Sequence, residues 1–289
     1  MDVGSTTLIA IVPMLAWGLG DYVAGTAGRA VAALDSVNWS QFVSGVLVVA
    51  GVLAGGGAFR LADDLPAALG GAAGVLGLIC FYHAMRVAPV VVVAPLVASG
   101  VGLPVLYGVI VDGGISRAAI AGITVGLFGI VCVTMTAPDN AEPDGRAVDA
   151  RALLLAAGGA IGYGAFLIGV AVSSSRHPFD ATLVARAGAL AVAVPMLIAR
   201  AVAKRRTGAA LPPLTFIGVL GLLDALGVLA FALAVHHANV AVVSVLASLY
   251  PAVTVGLAFC FDEQTLSRRE KIGIALTLAA LPFLAAGTG

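Results

Sequence analysis

Three charged side chains interrupt long apolar runs, and each could move a proton or bind an ion: Asp21, Arg186 and Asp224. A charge at the centre of a bilayer-spanning helix costs about 2.5–3.5 kcal/mol on insertion scales, so each is a functional candidate by default. Asp224 stands between Gly221 and Gly227, at i−3 and i+3 on one helical stripe, where small neighbours leave room beside the carboxylate. Two chemistries fit it, a proton carrier or a counter-charge for an amine; the plainer reading is a partner for a buried arginine. Asp21 shares a helical face with Trp17 and Gly25 and lies nearer a helix end, so a functional role competes with simple interfacial placement. Arg186 could reach the interface with its long stem, neutralise Asp21 or Asp224, or grip a substrate carboxylate with both guanidinium arms.

A second tier of cavity-lining candidates consists of Trp17, Tyr22, Asn38, Gln41, Tyr82, His83, Tyr163 and Tyr250. Aromatic residues also anchor helices at membrane interfaces, and amides glue helices together, so each alone has an ordinary explanation. His236 and His237 are consecutive, so their side chains are expected to diverge on a helix and cannot form an i,i+4 metal pair. The run Gly158-Gly159-Ala160-Ile161-Gly162-Tyr163-Gly164 lacks the strand and the Lys-Ser/Thr ending of a phosphate loop, and close helix packing explains it better. Cys80, Cys132 and Cys260 have no CxxC spacing and read as small core residues. No catalytic residue, metal site or cofactor is expected, and no HExxH, GxSxG or clustered Cys/His set supports an enzyme.

The elements that must hold these residues are membrane helices. The chain is 61% hydrophobic and 10% charged, which does not describe a soluble domain with a polar surface. Lys and Arg balance Asp and Glu at 15 each, so no basic face points to nucleic acid. Apolar runs of roughly 20 residues, the length that crosses the hydrocarbon core, recur along the whole chain. The pattern predicts an all-α polytopic membrane protein with about ten spans, near 5–27, 37–58, 66–85, 88–111, 117–136, 150–172, 180–202, 213–235, 239–261 and 269–287. Met1 to Thr7 has no basic stretch, so the first run is expected to remain as a span.

Internal similarity organises the spans. At a shift of 150 residues, twelve positions between Gly71 and Asp112 coincide with identical residues between Gly221 and Asp262, including Gly71, Gly77, Phe81, Ala88 and Leu96. Ser116-Arg117 and Gly122 match Ser267-Arg268 and Gly273 one residue later, and Gly18 and Gly20 match Gly162 and Gly164. Asp224 itself falls on Gly74, so GxxGxxG has become GxxDxxG in one half only. Corresponding points lie about five spans apart, an odd number, so the second copy is expected upside down relative to the first. The division places one repeat at 1–137, a Pro- and Asp-containing linker at 138–149, and a second repeat at 150–289.

These features resemble the drug/metabolite transporter superfamily, in particular its ten-helix EamA-like proteins with two inverted five-helix repeats. The residues that carry the resemblance are Trp17 to Tyr22, Phe81 to Pro104 with its counterpart Phe231 to Pro251, and Asp262-Glu263 followed by Ser267-Arg268 and Gly273. Asp112-Gly113-Gly114 departs from the acidic pair of the other copy. The resemblance implies export or exchange of a small metabolite such as an amino acid, and it implies an arginine near Arg186. Together these readings predict a secondary transporter of the cell membrane, a monomer or homodimer, working by alternating access on a small polar molecule, with Asp224 or Asp21 as candidates for proton coupling. The alternatives are an intramembrane enzyme, a passive channel or a lipid-handling protein. Basic residues at span ends favour both termini outside, by eleven on the linker side to three on the other, whereas the resemblance implies both termini inside.

Overall fold

The computed structural model describes residues 3–27, 33–54, 62–88, 93, 96–111, 115–134, 149–207, 213–261 and 267–286, and among them there is no strand. An apolar solvent gives unpaired backbone groups no partner, and helices satisfy them internally. The first half holds α1 (Val3–Ala27), α2 (Ala33–Ala54), α3 (Leu65–Val87), a 3-10 turn (Ser99–Val101) running into α4 (Gly102–Val111), and α5 (Arg117–Thr134). The second half holds α6 (Ala150–Ser174), α7 (Pro178–Thr207), α8 (Leu214–His237), α9 (Val240–Ser248), α10 (Tyr250–Phe261) and α11 (Arg268–Ala285).

Six segments are long and apolar enough to cross a membrane by themselves, and Val37–Val52, Leu96–Val111 and Arg117–Cys132 are shorter apolar helices. With α11, which is in neither group, ten helical segments lie along the ten predicted spans. The proposed linker falls outside the described residues except for Asp149, whose carboxylate accepts from the Ala152 N–H at 2.8 Å and caps α6. The repeat-matched serines both act as caps: Ser116 accepts from the Ala119 N–H, and Ser267 forms a full capping box with Glu270. One predicted span is broken. Pro251 has no N–H to give to the preceding turn, so the helix interrupts at Leu249 and restarts as α10 at Tyr250.

Helix packing runs mainly between the halves. α3 lies on α6 and α7, and its repeat counterpart α8 lies on α1 and α2; α2 packs on α7 and α5 on α11. Exchanging the two copies reproduces this pattern. The glycines shared by the copies make it possible. A methyl group on Gly71 would collide with the Ala185 carbonyl of α7, and one on Gly221 would come within 2.5 Å of Val43 Cβ on α2. Likewise Gly77 meets the Gly162 backbone on α6, while Gly227 receives the Trp17 indole of α1. The stripe around Asp224 is therefore filled by neighbouring helices, which corrects the open space expected there.

Candidate functional site

Near the middle of their helices, three side chains from α2, α7 and α8 close into a triangle. Arg186 Nη1 donates to Asp224 Oδ2 at 2.7 Å and to Gln41 Oε1 at 2.5 Å, and Gln41 Nε2 donates to the same Asp224 oxygen at 3.3 Å. The Arg186 side chain is 3% exposed and that of Asp224 20%. Burial of a lone charge is costly, and the pair with its amide bridge offsets that cost for both. The polar stripe continues along α2, because Asp35, Asn38, Gln41 and Ser44 recur every three residues and all are buried. At the linker end, Arg200 Nε donates to Asp35 Oδ1 at 2.5 Å. Between the two ion pairs, both amide atoms of Asn38 are buried without a hydrogen-bond partner.

The other carboxylate stands differently. Asp21 is exposed, although Trp17 and Gly18 one turn earlier face inward: Trp17 stacks near Phe166 and Phe231, and Gly18 lies against Tyr250 and Val253. Asp21 thus continues the stripe of Trp17 and Gly18 while remaining accessible. Asp21 interacts electrostatically with Tyr82 of α3, Tyr163 of α6 and Tyr250 of α10, and Tyr250 interacts with both other tyrosines. Two of these rings come from the second half and one from the first. The Tyr163 hydroxyl lies 3.0 Å from Ser248 Oγ, and Ser248 donates its own proton to the Ser244 carbonyl at 2.7 Å. Among the described residues, no cation lies within ion-pair distance of Asp21.

Comparison with known proteins shows a likeness over the second half. Residues 150–285 match the model of the EamA-like transporter family. Its second half, 136 of the 289 residues, is thus similar to the EamA-like transporter family. A solved crystal structure 20% identical in sequence superposes with a TM-score of 0.76, covering 97% of this chain and 96% of the other, and it shares the fold across both halves. No curated protein matches. The family is one of membrane transporters of the drug/metabolite type, and this EamA-like chain is a multi-pass integral membrane protein.

The remaining candidates of the EamA-like chain separate cleanly. The Tyr22 ring lies 6.3 Å from that of Phe261, and His83 turns back to the Ile79 carbonyl of its own helix at 2.8 Å. Trp17 is a packing residue between α1, α6 and α8. Three expectations are corrected. His236 and His237 do not diverge: their rings meet edge to face at 4.7 Å, and His236 Nδ1 contacts the Ser174 carbonyl at 2.7 Å. Cys260 is exposed rather than in the core, because α10 turns that face outward. Arg200 belongs to α7 and pairs with Asp35, so it leaves the set of interfacial charges without reversing their asymmetry. The Gly158–Gly164 run serves close packing as expected, with Gly159 and Gly162 against α3 and Gly164 against the Gly100 carbonyl.

Sequence reading missed Asp35, Ser244 and Ser248. Asp35 could have been found, since it stands three residues before Asn38 and six before Gln41. The serines had no such signal, because their role depends on the break before Pro251. Two apolar surface grooves, of 390 and 370 Å³, contain none of the candidate residues; the first is lined by Gly256, Phe259 and Ile274, the second by Leu96, Leu103 and Ile161.

Proposed function

We propose that this chain is a secondary transporter of a small polar metabolite, an amino acid or a related compound, resident in the cell membrane and working by alternating access between its two halves. The carrying observation is Asp21: an accessible carboxylate on an inward-facing stripe, shared with tyrosines from both halves. A cleft walled by both copies suits alternating access, since tilting one copy against the other changes which side it faces. Ion coupling, where it occurs, runs through Asp21. Asp224 and Arg186 hold each other and are assigned to tying α2, α7 and α8 together.

The test is counterflow in vesicles containing the purified chain. Preloading with an unlabelled amino acid mixture should accelerate uptake of the labelled substrate and saturate with concentration. Uptake that is linear in concentration and indifferent to preloading would replace the carrier with a pore.

A further inference from the structure

We propose that the cleft binds a small organic cation, its ammonium group held by Asp21 among the rings of Tyr82, Tyr163 and Tyr250. The inference rests on the cleft described under Proposed function and narrows its ligand from an amino acid to a related amine without a free carboxylate.

Charge balance is the first argument. Of the acids carried by α1, α2 and α8, Asp224 is matched by Arg186 and Asp35 by Arg200, and each pair is in direct contact. Asp21 is left with no counter-charge among the described residues. A ligand that brings one positive charge completes the site, whereas an anion adds repulsion in a region of low dielectric. Arg186, the natural receptor for a carboxylate, is 2% exposed and its Nη1 is engaged by Gln41 and Asp224.

Ring chemistry is the second. Cations are attracted to the faces of aromatic rings, and an acid within electrostatic reach of three tyrosines favours an alkylated ammonium. The hydrogen-bond order at Tyr163 sharpens this. Ser248 has a single hydroxyl proton and gives it to the Ser244 carbonyl, so the 3.0 Å contact with Tyr163 requires the phenol to be the donor. The Tyr163 oxygen is left with lone pairs and no proton to offer. It can accept from an ammonium N–H, and it has nothing to donate to a carboxylate.

The test uses the purified full-length chain in detergent and benzyldimethylammonium chloride, which carries one N–H, as probe, read by quenching of tryptophan emission from Trp17, one turn from Asp21. Saturable binding is expected, at least tenfold weaker in Asp21→Asn and Tyr250→Leu, and within a few-fold of wild type in Asp21→Glu and Tyr250→Phe. Benzyl alcohol and phenylacetate should bind at least tenfold more weakly than the cation. Equal binding of the cation by Asp21→Asn, tighter binding of phenylacetate, or no saturable binding to folded wild type overturns the proposal. Melting curves identify any variant that does not fold, and Asp21→Glu keeps the test decisive if Asp21→Asn is lost. Counterflow of other solutes without cation binding would remove this inference and leave the transporter; cation binding without counterflow of any solute would do the reverse.

Discussion

Arg186 and Asp224 meet at 2.7 Å across α7 and α8, and the same guanidinium nitrogen holds Gln41 of α2. One contact thus fastens a helix of the first half to two helices of the second, and it occupies the acid that stands closest to the centre of its span. The paired acid and the unpaired one have different consequences for mutation.

Removing one member of a buried pair strands the other. Arg186→Met or Asp224→Leu alone should destabilise the protein by about 3–5 kcal/mol, while the two combined should recover most of that loss. Thermal melts of the three variants form a double-mutant cycle, and additive losses would show that the pair carries no coupling.

Asp21→Asn should behave in the opposite way. Its side chain is accessible and has no ion-pair partner among the described residues, so the melting temperature should stay within a few degrees of wild type. Counterflow should fall at least tenfold. A variant that transports normally would take Asp21 out of the mechanism.

Close helix approach gives a stability series. Gly71→Leu and Gly221→Leu should fail to fold, since each site already lies against the backbone or Cβ of a facing helix, whereas Gly218→Ala should be tolerated because nothing stands within 4 Å of its added methyl. Equal expression and melting of all three would contradict the interlocked packing.

Asp64, just before α3, is 2% exposed. Burial, then the charges of Asp180 and Asp63, push its carboxyl above the usual range, against weaker pulls from His177 and Arg176. The folded state therefore holds this proton more tightly than the unfolded state. Its contribution to stability is complete below about pH 4 and is lost as pH rises through the raised folded value. The melting temperature of wild type minus that of Asp64→Asn should decrease across that window. A difference that is flat or grows with pH would contradict the burial of this group.

Much of the fold could be read from residue patterns, because lipid leaves helices as the simple solution and glycine stripes mark where helices touch. The spans, the Ser116 and Ser267 caps and the Gly71 and Gly221 correspondence needed only local spacing. The acids and the arginine inside the helices could be named from the sequence, but their pairing could not. Gln41 and Arg186 are 145 positions apart, so nothing local says that Arg186 selects Asp224 over Asp21. Asp35 and Arg200 were hidden in the same way, because α7 runs on past its apolar stretch to Thr207. The tyrosines around Asp21 come from α3, α6 and α10, and only the crossing of the two halves assembles them.

Water access to position 21 tests the account most directly. In a chain with Cys80, Cys132 and Cys260 replaced by serine, Asp21→Cys should react with a charged, membrane-impermeant thiol reagent, and added substrate should slow the reaction. Reaction only with a lipid-soluble reagent, unaffected by substrate, would place position 21 against lipid and contradict the cleft.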